Sequence, residues 1–331
     1  MSTILITGGT GLIGTALSRM LISKGHQIIL LSRSKRPDTT PAGSSIRIAH
    51  WDPDKETIDT EAIRSADIVI HLAGAGVADK RWTARRKKEI VDSRTRSSAL
   101  LVKALNEIPN KVQTVISASG IGWYGPDPSI PNPRPFVETD PVDGDFLGET
   151  CRLWEASITP VTTLNKRLVI FRIGVALSNA GGALTEFRRP VKLGMAAILG
   201  SGRQVMSWIH EEDLCRLFLH AMEDPAMSGV YNAVAPQPVN NRTLTLELAR
   251  RIKGRYFVPV YIPSFVLKLV VGGLSIEVLK SATVSTVKIH RTGFQFLYPS
   301  IQSALDDLTG RSLQKASPSA DNTRRDKQKP R

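Results

Sequence analysis

Residues 2–14, STILITGGTGLIG, constrain the fold more tightly than any other stretch of this chain. STILIT is short, apolar and rich in β-branched residues, and it reads as a strand. It runs without a linker into glycines at 8, 11 and 14, spaced G-x-x-G-x-x-G. Leu12, Ile13, Ala16, Leu17, Met20 and Leu21 then fall on one face of a helix that Gly25 stops. Glycines at such a junction permit a tight turn and let backbone N–H groups approach a pyrophosphate at the helix N-terminus. A plain glycine-rich turn needs neither flanking element. We expect Gly8, Thr10, Gly11, Leu12, Ile13 and Gly14 to hold the diphosphate of a dinucleotide.

Five more apolar runs follow: HQIILLS (26–32), IRIAHW (46–51), ADIVIHLA (66–73), VQTVISAS (112–119) and RLVIFRIG (167–174). Helical patterns separate them, the longest from about Thr83 to Leu105. Strands continuous in apolar residues, alternating with helices, indicate a parallel sheet covered on both faces. The expected class is α/β, a doubly wound parallel sheet of Rossmann type with a smaller C-terminal substrate lobe. The boundaries read from the pattern are 1–174 for the nucleotide-binding domain, to which later segments can return, 175–310 for the lobe, and 311–331 for a tail. No internal repeat is apparent.

Composition narrows the classes. Hydrophobic content is 41% and charged content 22% over 331 residues, ordinary for a globular protein with a sizeable core. Two cysteines, Cys151 and Cys215, argue against a disulfide framework and suit a reducing compartment. The N-terminus enters a strand at once, with no basic n-region, so no secretory signal is expected and the cytoplasm is the expected location. The segment FVLKLVVGGLSIEVL is too short to span a bilayer and is broken by Lys268 and Gly272-Gly273. It reads as a buried or interface helix, which leaves room for a homodimer; no membrane contact is expected. The net charge is +14, of which the tail, with seven basic and two acidic residues, carries +5. No aromatic residue interleaves with the tail's charges, so it reads as a disordered, solvated extension, and no nucleic-acid partner is expected. No Cys/His cluster has metal-ligand spacing, and no metal is expected.

The second run ends in LLSRSKR, with Ser32 then Arg33, and Lys35 and Arg36 close by. An NAD-selective site commonly places a carboxylate there, on the ribose 2′-hydroxyl. A guanidinium suits a 2′-phosphate instead. The expected cofactor is NADP(H); the alternative is a basic solvated loop.

The glycine spacing resembles the short-chain dehydrogenase/reductase superfamily, and the length and later motifs look like its extended, sugar-nucleotide-epimerase-like branch. HLAGAGVADKRWTARRKKEIVDSR (71–94), SASGIGWYG (117–125), GSGRQVMSWIHEEDL (200–214), YNAVAPQPV (231–239) and GFQFLYPSIQSAL (293–305) together resemble an atypical subgroup. It is an NAD-dependent epimerase/dehydratase-like family with a C-terminal domain of unknown function. The likeness spans about residues 3 to 310; SATVSTVKIHRTGF departs from the family's pattern. It implies that Arg33 meets the 2′-phosphate, that Asp52 bonds the adenine amino group or merely closes a turn, and that Ala73 and Gly74 border the cofactor ribose. His71 beside them reads equally as a satisfied strand-end histidine. The likeness places a catalytic serine at Ser119, with Tyr124 in the adjoining loop, and a substrate-anion pocket at Arg172, Arg203 and His210. The alternative is that Arg172 pairs with a carboxylate, that Tyr124 covers the core, and that Trp208 and His210 are packing.

The superfamily's proton relay is a tyrosine with a lysine four residues on, one helical turn away. In GDFLGETCRLWE (144–155) those places hold Leu147 and Cys151. Leucine cannot transfer a proton, and a buried thiol behaves as a small hydrophobe. Two readings follow: an NADP(H)-binding, epimerase-like oxidoreductase using Ser119, Tyr124 or water on an unidentified small molecule, such as a sugar nucleotide or another carbonyl or hydroxyl compound, or a catalytically silent NADP(H) sensor.

Overall fold

The computed structural model describes residues 1–34 and 44–310; Lys35, Arg36 and the tail 311–331 lie outside the described residues. The first half contributes β1 (Thr3–Thr7), α1 (Leu12–Ser23), β2 (Gln27–Ser32), β3 (Ile46–Asp52), β4 (Thr57–Ile58), α2 (Thr60–Ser65), β5 (Ile68–His71), α3 (Ala84–Glu107), β6 (Thr114–Gly120), α4 (Phe146–Ile158) and β7 (Arg167–Ile173). The second half contributes β8 (Val175–Leu177), α5 (Ala183–Lys192), β9 (Met195–Leu199), β10 (Val205–Met206), β11 (Trp208–His210), α6 (Glu211–Glu223), β12 (Gly229–Ala233), β13 (Val239–Asn240), α7 (Asn241–Lys253) and β14 (Val258–Ile262). It ends with α8 (Ser264–Val271), α9 (Ser275–Leu279), α10 (Val287–His290) and α11 (Ile301–Leu308).

One eight-stranded sheet has the order β12-β7-β6-β5-β1-β2-β3-β4. Only β4 is antiparallel to its neighbour. The order reverses between β2, on one side of β1, and β5 on the other, which is where a doubly wound sheet opens a crevice for a ligand. Alternate residues explain the continuous apolar runs. Ile4 and Ile6 pack with Leu17 and Leu21 of α1 and Leu214 and Phe218 of α6. Leu5 packs on the opposite face with Leu101 and Ala104 of α3 and Ile63 of α2. Both faces are buried, so no strand needs a polar side.

Part of the second half builds into this same unit. β12 pairs with β7 in parallel, Tyr231 opposite Phe171, and α6 covers the sheet beside α1. The rest forms three two-stranded pairs, β8 with β11, β10 with β13 and β9 with β14, around α5, α7 and α11. Trp208 is fully buried there and donates its indole N–H to Gln237 O at 2.9 Å, a packing role. Among the described residues no helix is long and apolar enough to cross a membrane. The segment expected as a buried or interface helix is instead split into α8 and α9, and Leu267 is the one buried residue of α8.

Candidate cofactor site

At Gly8, φ is 68°, and a Cβ there would stand 2.8 Å from the Leu72 carbonyl carbon. At Gly14 a Cβ would stand 2.4 Å from Gly8 O. Only glycine allows the first turn of α1 to sit this close to the end of β1. Gly11 caps α1 without any side-chain hydrogen bond, so the first-turn N–H groups stay available to a ligand. The cradle fits a pyrophosphate.

A cleft of about 660 Å³ opens at this turn. Gly8, Thr10 and Gly11 form one wall, Ser32, Arg33 and Ser34 the tip of β2, and Ala73 and Gly74 the end of β5. Leu12 faces a second hollow of about 350 Å³ on the other side of the loop, with Thr15 and Arg19. Ile13 packs into the core beneath, and Gly14 is buried. Arg33 is exposed at its tip and makes no ion pair among the described residues. Asp52 does not line the cleft. Its Oδ1 accepts the Asp54 and Lys55 N–H groups at 3.1 and 3.3 Å, closing the turn after β3. Trp51, Pro53 and Asp54 face the cleft from that turn. Sequence reasoning also missed Arg85, Lys88, Asp92, Ser93 and Arg96, which line it from α3. Their spacing of three and four residues puts them on one helical face, a signal that was present in the sequence. Arg96 pairs with Asp54 across the cleft at 2.8 Å.

His71 is fully buried. Thr7 Oγ1 accepts the Leu72 and Ala73 N–H groups, so its proton goes to His71 Nδ1 at 2.7 Å. His71 Nε2–H then donates to Ser98 Oγ at 3.1 Å. Burial, with Arg94 nearby, holds its pKa down to about 3, so the ring is a neutral structural link.

The two expected catalytic hydroxyls lie in one buried network. Ser119, at the end of β6, donates to Glu155 Oε1 at 2.7 Å. Glu155 also takes Arg172 Nε at 2.8 Å and Nη2 at 2.9 Å. Arg172 Nη1 donates to Tyr124 Oη at 3.2 Å, and Tyr124 donates to Asn232 Oδ1 at 2.7 Å. Tyr124 is fully buried and stacks on Phe136 at 5.3 Å, while burial raises its phenol to about 12. It is therefore a core residue and not an open proton donor. The Arg172 guanidinium lies 3.6 Å over the Trp123 ring, with all three nitrogens engaged. Arg172 has no edge left for a substrate phosphate.

The other two expected anion ligands lie apart. Arg203 is exposed in the turn after β9. His210 caps α6, accepting the Glu212 N–H at 3.1 Å, and its ring stacks on Tyr298 at 3.8 Å. Its Nε2 stands 3.3 Å from Asp307. The three-residue substrate pocket does not assemble: Arg172 is held in the buried network, Arg203 lies in a surface turn and His210 caps α6.

Leu147 and Cys151 face Gly122 and Gly120. A Cβ at Gly122 would meet Leu147 Cβ at 2.9 Å and Cys151 Sγ at 3.7 Å. Cys151 Sγ donates to Gly120 O at 3.4 Å, and burial, then Glu155, raises the thiol to about 11. Both side chains pack. Arg94 of α3 lies nearby and is buried. Its Nη1 donates to Ala75 O at 3.0 Å and Ile90 O at 2.9 Å, and its guanidinium lies 4.8 Å over Trp154. Gly74 makes room for it, since a Cβ there would be 3.0 Å from Arg94 Cζ. Arg94 forms no ion pair among the described residues, and burial lowers its pKa to about 10. The same residues contain no group of three or more potential metal ligands.

Residues 4–146 match the family model described as the NAD dependent epimerase/dehydratase family, and residues 262–308 match a domain of unknown function, DUF1731. An epimerase family protein of Staphylococcus saprophyticus is 36% identical over 306 residues, covering 92% of this chain and 98% of its own. Human epimerase family protein SDR39U1 is 31% identical over 309 residues, covering 92% and 99%. The crystal structure of its isoform 2 with NADPH has a TM-score of 0.79 at 30% identity, covering 93% and 99%. A UDP-glucuronic acid 4-epimerase from Bacillus cereus, at 18% identity, shares the fold with a TM-score of 0.74, covering 95% and 99%.

Proposed function

Because the chain belongs to the NAD-dependent epimerase/dehydratase family, we propose that it is an NADP(H)-binding oxidoreductase or epimerase acting on a small carbonyl or hydroxyl compound, sugar nucleotides included. The observation carrying this reading is the cleft that runs from the Gly8–Gly14 turn to the Ser32–Ser34 tip, where Arg33 makes no ion pair among the described residues. The crystal structure of the human relative with NADPH supports it. The cofactor, when bound, supplies the hydride donor or acceptor. Gly8, Gly11 and the first turn of α1 hold the diphosphate, and Arg33 holds the 2′-phosphate. Ala73 and Gly74 border the ribose. Arg94, a buried cation behind Gly74, supplies the fixed positive charge that Cys151 cannot.

Ser119 is the proton group in this reading. Its hydroxyl is buried and donates to Glu155, so its oxygen keeps acceptor capacity that a substrate hydroxyl would have to reach on binding. As that proton moves to Ser119 Oγ, the Ser119 proton moves to Glu155 Oε1; the reverse transfer protonates a substrate oxyanion. Arg172 holds Glu155 in place. The second reading, a sensor without turnover, is favoured by the packing of Leu147 and Cys151 where the superfamily's relay would stand. A panel of carbonyl compounds and sugar nucleotides, followed by the absorbance of the reduced nicotinamide and by analysis of the products for inverted stereocentres, separates the two. Net hydride transfer or an epimerised product with any member supports the enzyme. NADPH binding with neither across the panel selects the sensor.

A further inference from the structure

The lobe built from β9, β14 and α8 presents its apolar side chains outward. Leu193 is 78% exposed, Tyr256 74%, Val258 63%, Phe265 67%, Leu269 71% and Val270 70%. They belong to adjoining elements: β14 pairs with β9, with Val258 opposite Met195, and α8 begins two residues after β14 ends. Phe265 and Leu269 are one helical turn apart on α8, with Lys268 beside them. A surface this apolar in one place marks an interaction site.

Charge identifies the occupant. Residues 187–203 hold four Lys and Arg and residues 248–276 hold five, with no Asp or Glu inside either segment; of these, Arg189, Arg250 and Arg251 pair with Glu186, Glu247 and Asp306 outside them. Lys192, Arg255 and Lys268 are exposed and make no ion pair among the described residues. The next acid along the chain, Glu277, is partly buried and paired with Lys280. A symmetric second copy would set Lys253, Arg255 and Lys268 against like charges. An anionic bilayer surface instead meets cations at its headgroups and the Phe, Leu and Tyr side chains at the acyl boundary. Lysine stems lie along the apolar layer while their ammonium groups stay in the headgroups.

We propose that this chain docks on anionic lipid bilayers through the β14–α8 surface, as a peripheral protein with no spanning helix. This revises the sequence expectation of no membrane contact. The far end of the surface adjoins the loop before α3: Gly272 packs on Arg81 and Gly273 on Trp82.

The test is vesicle flotation of the full chain with neutral phosphatidylcholine vesicles and with vesicles containing about one part in four phosphatidylglycerol, enough to give an anionic surface. Binding is expected to the anionic vesicles and to weaken with salt. The double variant Phe265→Ser, Leu269→Ser keeps every charge, the basic tail included, and removes no buried contact; it is expected to weaken binding by at least about tenfold. Tyr256→Ser with Tyr261→Ser is a second exposed pair with the same expected direction. No binding of the parent chain overturns the proposal. Undiminished binding of both double variants also overturns it, leaving diffuse attraction through the tail. A parent dimer that the same substitutions convert to monomer assigns the surface to a second copy.

Discussion

Ser119 donates its proton to Glu155, while Cys151 keeps its own as a buried neutral thiol. The two positions therefore make opposite predictions. Ser119→Ala is expected to lose ~10²–10⁴-fold in turnover with NADPH affinity retained, as for removal of a general acid–base group. Cys151→Ala is expected to keep most of the activity; a collapse with NADPH binding intact would make the thiol catalytic. His71 supplies a pH signature. Its folded pKa lies near 3, below its unfolded value of about 6.5, so the folded state refuses a proton that the unfolded chain binds. Its contribution is full above that unfolded value and is lost progressively as pH falls toward 3. Across that window its removal should lower the slope of stability against pH by about 1.4 kcal/mol per unit. Urea titrations of the parent and His71→Gln check this; equal slopes contradict it. The strand-end reading of His71 was available from its place alone. The burial of Tyr124 was one of two readings, but its hydroxyl partner Asn232, 108 residues away, was not legible.

The six strands read from sequence recur within a few residues; all but β3, which is part-exposed, are largely buried on both faces, which leaves a continuous apolar run. The return of α6 and β12 to the main sheet was less legible. A short strand's local pattern does not say which sheet edge it joins, and β12 is placed by packing against β7 and α10. The α3 face that lines the cleft was legible as a period but not as a site, since a charged helix face is usually solvated. Two predictions belong to elements. Gly14→Ala puts a methyl into Gly8 O and the Gly9 backbone, so α1 must move off the loop. We expect a loss of about 1–3 kcal/mol in stability and a large loss of NADPH affinity, read by denaturation and calorimetry. Unchanged NADPH affinity would mean that α1 does not hold the diphosphate. Arg172→Ala leaves Glu155 as a buried carboxylate without its cation, which costs about 3–5 kcal/mol. A shift under about 1 kcal/mol, the range of a surface pair, would show that the network is solvated.

At the scale of the whole molecule, the doubly wound sheet is common to enzymes with many substrates, and the chemistry here depends on how this chain completes it. The +14 charge, Arg33 at the cleft with no ion pair among the described residues, and the lack of acids in β9, β14 and α8 lead us to expect affinity for anions in more than one place. Salt should therefore weaken both NADPH binding and vesicle binding, but only the first should depend on Arg33. Substrate class stayed illegible in sequence for a structural reason. The three residues that resembled a phosphate pocket are committed to an ion-pair network, a surface turn and a helix cap. The central claim is that the tip of β2 selects a 2′-phosphate. Calorimetry of NADPH and NADH with the parent chain and Arg33→Ala tests it most directly. NADPH is expected to bind more tightly by about 1–3 kcal/mol, the range of hydrogen bonds to charged groups, and Arg33→Ala to remove most of that margin. Equal affinities in the parent, or a margin unchanged in Arg33→Ala, would contradict it.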